Sequence, residues 1–96
     1  MKLSEVTVQD LVAYARENLE DGEVVNTFQT ILVACKGYIK GYTGLSDEQA
    51  DTKEDLTVAL MVLSNEMYEN RLFSVQDDKV NVLVKSILDM HSVNLL

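Results

Sequence analysis

The stretch EVVNTFQTILVACKGYIKGY, residues 23–42, carries the most regular apolar pattern in the chain. An α-helix has about 3.6 residues per turn, so apolar side chains at i, i+4, i+7 and i+8 share one face. The side chains that follow this spacing are Val24, Val25, Phe28, Ile31, Leu32, Cys35, Tyr38, Ile39 and Tyr42. The pattern predicts a long helix over residues 23–42, with Gly44 as its left-handed stop or Gly41 ending it one turn earlier.

A shorter helix is predicted before the long one, over residues 8–18. Thr7 is a suitable N-cap, and Asp10 stands three residues later as an imperfect capping box. The apolar residues that would face the core are Val8, Leu11, Val12 and Ala15. The acidic turn at residues 20–23 then separates this helix from the long one.

After the long helix, Ser46 and Gln49 form a capping box that predicts one extra helical turn. Thr52 with Asp55 marks a start for a helix over residues 53–70, because no breaker interrupts that stretch. Residues 58–63 are apolar almost all the way round. This distribution of apolar side chains indicates a helix surrounded on most sides, either within its own bundle or at a subunit contact.

The last part of the chain is predicted as an irregular arm over residues 71–79 and a final helix capped by Asn81. The final residues 92–96 end on two leucines, which favours docking of the tail. The prediction is therefore an all-α fold forming a single domain over residues 1–96. It is a small bundle of about four main helices with one extra turn and an irregular arm before the last helix.

The charge balance is acidic, with 16 Asp and Glu against 8 Lys and Arg and a net charge of −8. Phosphate backbones and anionic membrane surfaces both attract basic patches, so this balance argues against either as a binding partner. No stretch approaches the roughly 20 apolar residues of a membrane span. The single cysteine excludes an intramolecular disulfide, and the expected compartment is the cytoplasm.

Few side chains in this sequence could act in catalysis or bind a metal. His91 is the only histidine, which excludes histidine-rich metal sites and acid–base schemes that need two histidines. Cys35 lies on the apolar face of the long helix, so a buried structural cysteine is expected rather than a nucleophile paired with His91. Glu66 and Glu69 are expected on a solvated face. No catalytic residue, cofactor or metal is predicted, and the chain is not expected to be an enzyme.

Three segments, in this order and spacing, resemble the head–tail connector proteins of phages and prophages. They are ACKGYIKGYTGL at residues 34–45, EDL through EMYENR at residues 54–71, and VNVLVKSIL at residues 80–88. The acidic turn before the long helix also fits, so the resemblance covers nearly the whole chain. Val82 departs from the pattern because the family often carries proline there, which affects a helix start more than the fold.

The resemblance implies a structural subunit of a ring of about twelve copies, which forms through contacts between unlike faces. Such a ring docks on the portal protein, bridges it to the next head-completion or tail protein and helps retain packaged DNA. DNA passes without sequence-specific binding, and no membrane is involved. The protein would be made in the host bacterial cytoplasm and end in the virion at the head–tail junction.

Two sets of residues are candidates for these contacts. The candidate subunit interface comprises Leu60, Met61, Met67, Tyr68, Arg71 and Phe73. The candidate acidic face of the DNA channel comprises Asp47, Glu48 and Asp51. An acidic channel wall repels phosphate and lets DNA slide, whereas a basic wall would hold it.

A different class of function fits the same charge. A small acidic helical module, acting as a DNA mimic or regulator on a basic host protein, would be a monomer or a dimer. The helix over residues 53–70 has more apolar side chains than one packed face uses, and the resemblance covers nearly the whole chain. Both features favour the connector.

Overall fold

A computed structural model describes residues 1–93, and within them it contains α-helices and 3-10 turns but no strand. The predicted all-α bundle is therefore confirmed. Docking was predicted for the tail at residues 92–96, of which residues 94–96 lie outside the described residues. The α-helices are α1 (Val8–Tyr14), α2 (Gly22–Thr43), α3 (Asp47–Ala50), α4 (Glu54–Glu69) and α5 (Val82–His91), and 3-10 turns span Leu3–Glu5 and Asp77–Lys79.

The first helix begins where the sequence predicts but ends early. Thr7 and Asp10 form a complete capping box, in which the Thr7 hydroxyl accepts from the Asp10 N–H. The prediction that α1 continues to Asn18 is wrong, because Arg16 adopts a left-handed backbone with φ of 59°. This conformation closes the helix, and the N–H of Glu17 donates back to the carbonyl of Val12.

Both ends of the long helix α2 have clear physical causes. The Asp21 carboxylate accepts from the N–H groups of Glu23 and Val24, so it caps two donors that lack partners inside the helix. Gly44 is left-handed with φ of 72°, and its N–H donates to the carbonyl of Lys40. Gly44 is therefore the stop, and Gly41 lies inside the helix.

The start of α4 differs from the prediction by its capping residue. Ser46 and Gln49 form the predicted capping box of α3. Thr52 does not cap α4, because its hydroxyl donates to the carbonyl of Gln49 at 2.7 Å. Lys53 is the N-cap instead, without a side-chain cap. Asn81 caps α5 as predicted, accepting from the N–H of Leu83 at 2.7 Å.

Helix α4 lies at the centre of the bundle. It packs against α1, α2, α5 and the N-terminal 3-10 turn. Its buried side chains therefore point to more than one side, and they are Leu56, Ala59, Leu60, Leu63, Ser64 and Met67. Packing within the chain's own bundle largely explains why residues 58–63 are apolar on most sides of the helix.

Helices α2 and α4 share the most extensive helix–helix contact of the described residues. Phe28, Ile31, Cys35 and Ile39 of α2 are fully buried. The sulfur atoms of Cys35 and Met67 lie 3.3 Å apart. Burial raises the pKa of the Cys35 thiol from 9.0 to about 12, so the thiol stays protonated and unreactive at neutral pH.

Substitutions at Leu60 and Val58 test the central position of α4, because one of these side chains is buried and the other is exposed on the same helix. The Leu60 side chain is 0% exposed and that of Val58 is 51% exposed. We expect Leu60→Ala to lower the free energy of unfolding by about 2–5 kcal/mol, since it removes buried methyl groups and leaves a cavity. Val58→Ala should change it by less than about 1 kcal/mol. Urea unfolding followed by circular dichroism measures both, and equal effects would contradict the packing described.

Candidate interaction surfaces

The two side chains that could serve as a general base or a nucleophile, His91 and Cys35, make structural contacts. The His91 Nε2 atom lies 2.7 Å from the Asp55 carboxylate, which ties the end of α5 to the start of α4. Cys35 is buried against Met67. Among residues 1–93, no group of three or more His, Cys, Asp or Glu side chains could hold a metal ion.

The candidate subunit interface divides into core and surface residues. Leu60 and Met67 are 0% and 2% exposed, so the prediction that they present an apolar surface is wrong. They face the interior because α4 is packed on several sides. Met61 is half-buried, whereas Arg71 and Phe73 are exposed.

Tyr68 joins this surface to the core. Its ring stacks on the buried ring of Phe28 with centroids 4.5 Å apart. The guanidinium carbon of Arg71 lies 4.8 Å from the Tyr68 centroid on the outer side of α4. Arg71 and Tyr68 border an open groove of polar character, whose other lining residues are Glu17, Asp21, Glu23, Val24, Asn26 and Thr27.

The candidate acidic face lies on α3 and the residue after it, but two of its three carboxylates have partners. Asp47 forms an ion pair with Lys40 at 2.7 Å. Asp51 accepts from the hydroxyl and the N–H of Ser4 at 2.6 and 2.9 Å. The hydroxyl and then the backbone N–H of Ser4 lower the pKa of Asp51 below its usual 3.8. Glu48 is exposed, so its carboxylate presents the charge of this face to solvent.

Two tyrosines fasten the arm and α5 to the long helix. The Tyr38 hydroxyl donates to Asp77, which also pairs with Lys85 at 3.1 Å. The Tyr42 hydroxyl donates to Asp89. These bonds lower the pKa of Asp77 and raise the pKa of Tyr42. Nothing in the sequence identified the carboxylate partners of these tyrosines.

An exposed apolar stripe lies on α5, outside the candidate subunit interface predicted from the sequence. It consists of Val82, Leu83 and Met90, which are 80%, 55% and 71% exposed. The buried residues Val84 and Leu88 lie on the opposite side of the helix. Helical spacing in the sequence already separates these two faces. We call Val82, Leu83 and Met90 the α5 stripe.

Comparisons with known proteins find no matching family model, no matching curated protein and no matching solved structure. Among residues 1–93, no helix is both long and apolar enough to cross a membrane.

The contact between Asp51 and Ser4 predicts a pH-dependent contribution to stability. Asp51→Asn should lower the melting temperature at pH 7, because a carboxylate that accepts two hydrogen bonds is replaced by an amide. The folded-state pKa of Asp51 is depressed, so its stabilisation is present above the unfolded pKa of about 4. It is lost as the pH falls through the lower folded pKa.

Thermal unfolding of Asp51→Asn and wild type between pH 7 and 2.5 measures this contribution, with Glu48→Gln as a control on the same acidic face. The difference between wild type and Asp51→Asn should shrink toward zero in acid. A difference that is equal at all pH values, or as large for Glu48→Gln, would contradict the assignment.

Proposed function

We propose that this chain is a structural subunit of a phage head–tail connector ring. It docks on the portal protein, bridges the portal to the next head-completion or tail protein and helps retain packaged DNA. It acts through its surfaces and performs no catalysis. The ordered resemblance of residues 34–45, 54–71 and 80–88 to connector proteins motivates the proposal, and the surfaces of the fold support it.

The α5 stripe is the observation that carries the proposal on the side of structure. Val82 and Met90 are among the most exposed large apolar side chains of the described residues. Exposed apolar side chains grouped on one face of a helix commonly mark a protein–protein contact. The stripe stays outward although α5 is fastened to the bundle by buried Val84 and Leu88 and by the pair of His91 with Asp55.

A ring also needs a second, unlike surface on each subunit. Rings form when one face of a subunit meets a different face of its neighbour. The groove beside Arg71 differs in chemistry from the α5 stripe, because it is polar and charged. The exposed Phe73 follows Arg71 on the arm. The chain therefore offers two unlike surfaces, one apolar and one charged, that suit contacts with different neighbours.

In the proposed ring, the acidic end of α3 faces the DNA channel. Glu48 is exposed, and Asp47 remains exposed although it is paired with Lys40. Repeated around a ring, these carboxylates form an acidic collar that disfavours binding of phosphate. A small acidic module acting on a basic host protein would use the same charge, but it has no need of an outward apolar stripe on α5.

Leu83→Asp tests the role of the α5 stripe in assembly. A charge placed within an apolar contact should weaken binding to portal particles roughly tenfold or more. Val33→Asp is the matched control, because Val33 is an exposed apolar residue on the outer side of α2. Cosedimentation with the portal protein of the same phage, followed by negative-stain imaging, measures binding and ring formation.

We expect wild type and Val33→Asp to form rings on the portal and Leu83→Asp to stay in solution as a folded monomer. The connector proposal is contradicted if wild type ignores the portal and instead binds a basic host protein as a monomer. If Leu83→Asp binds like wild type, the stripe has no role in assembly.

Glu48→Gln tests the channel. We expect it to change DNA retention or ejection while ring formation stays normal, because it removes an exposed charge without breaking a contact. Glu20→Gln, an equal charge change in the turn before α2, is the control. The fraction of DNA-filled heads after tail attachment provides the measurement. Unchanged retention in Glu48→Gln phage would contradict a channel-facing position.

A further inference from the structure

The two arginines of the chain occupy equivalent and unusual backbone positions. Arg16 and Arg71, with φ of 59° and 55°, are the non-glycine residues of the described chain with positive φ. Each stands directly after the C-cap of a helix, at the site where glycine is usual. After α4, the N–H of Arg71 donates to the Tyr68 carbonyl at 3.2 Å, and the N–H of Leu72 donates to the Met67 carbonyl at 2.9 Å.

Glycine would adopt this left-handed backbone with less strain than arginine. The chain does use glycine in this conformation at Gly44, where α2 ends. A cation near a helix C-terminus interacts favourably with the helix dipole, and that explanation applies equally to Arg16 and Arg71. What separates the two arginines is the surroundings of the side chain.

Only Arg71 has its side chain positioned by an aromatic ring in the described residues. Its guanidinium lies over Tyr68, which stacks on the fully buried Phe28. This stack connects the guanidinium to the core through two rings. The Arg71 guanidinium forms no ion pair or hydrogen bond with a side chain of residues 1–93. Its N–H donors are therefore positioned and still available to a partner.

The groove around Arg71 restricts what that partner can be. Three carboxylates line it beside the one guanidinium, those of Glu17, Asp21 and Glu23. A nucleic-acid backbone would meet these three negative charges and be repelled. A uniformly basic protein would bring further positive charge against the Arg71 guanidinium. The groove fits a surface on which a carboxylate and a cation stand side by side.

We propose that Arg71 binds a carboxylate on a second copy of this chain, while Glu17 and Glu23 face a neighbouring cation of that copy. This inference rests on the proposed ring, which brings unlike faces of two copies together. A copy offers such pairs on its surface, such as the exposed neighbours Asp78 and Lys79 on the arm. Arginine can bind a carboxylate through two parallel hydrogen bonds, which fixes orientation as well as charge.

The presence of two arginines makes the contact directly measurable by NMR. A chain labelled with ¹⁵N gives two arginine Nε–H signals, one for each residue, so Arg16 serves as an internal control. Unlabelled chain is added up to about 1 mM, a range that detects a contact with a Kd near 1 mM. We expect the Arg71 signal to shift with concentration and the Arg16 signal to stay in place. Raising the salt from about 0.05 to 0.5 M should reverse the shift.

The variants Arg71→Lys and Arg16→Lys separate recognition from charge and from helix capping. Both keep the net charge and place lysine in the same left-handed position. We expect Arg71→Lys to weaken self-association in sedimentation velocity by about tenfold or more, because lysine lacks the planar fork. Arg16→Lys should associate like wild type. Both should retain the melting temperature of wild type within a few degrees.

The inference is overturned if neither arginine signal moves up to about 1 mM, or if both move alike. It is also overturned if Arg71→Lys associates as strongly as wild type. In that last case the copies still associate and the ring proposal stands, with a contact that does not use Arg71. Failure of the ring proposal has a separate signature, since wild type would then not bind portal particles.

Discussion

Helix α4 has to be enclosed on several sides by a chain of only 96 residues, and the rest of the structure depends on how this is achieved. Leu56, Leu60 and Met67 need neighbours that a single partner helix cannot supply, so α1, α2, α5 and the N-terminal turn all pack against α4. Polar contacts fix these neighbours, because the Thr57 hydroxyl donates to the Met1 carbonyl and Asp55 pairs with His91. The apolar residues of α4 are thereby used for folding.

This use of α4 moves the candidate contact surfaces elsewhere. A small domain buries only about two-thirds of the surface that its unfolded chain exposes, so some apolar surface stays outside. Part of it stays on the outer side of α5 and at Phe73. The charged groove at the end of α4 adds a surface of different character. Two unlike surfaces on one rigid bundle suit assembly with other chains, which is the role proposed for this protein.

The periodicity of residues 23–42 and the capping pairs of Thr7 and Ser46 predicted most helix positions, because these signals are local. The early end of α1 was missed because left-handed closure by Arg16 has no signature in composition. Periodicity also cannot distinguish packing inside a bundle from packing between subunits, and Leu60 and Met67 were misplaced for that reason. The bond between Tyr42 and Asp89 joins residues far apart in sequence, so only the fold reveals it.

Assembly of this chain with further copies on a portal particle is the step on which its proposed role depends. Native mass spectrometry can count the copies bound to portal particles and compare them with the chain alone. We expect a monomer or weak oligomer in isolation and a full ring of copies, about one for each portal subunit, on the particle. A portal that binds no copies, under conditions where the chain is folded, would rule out the connector role.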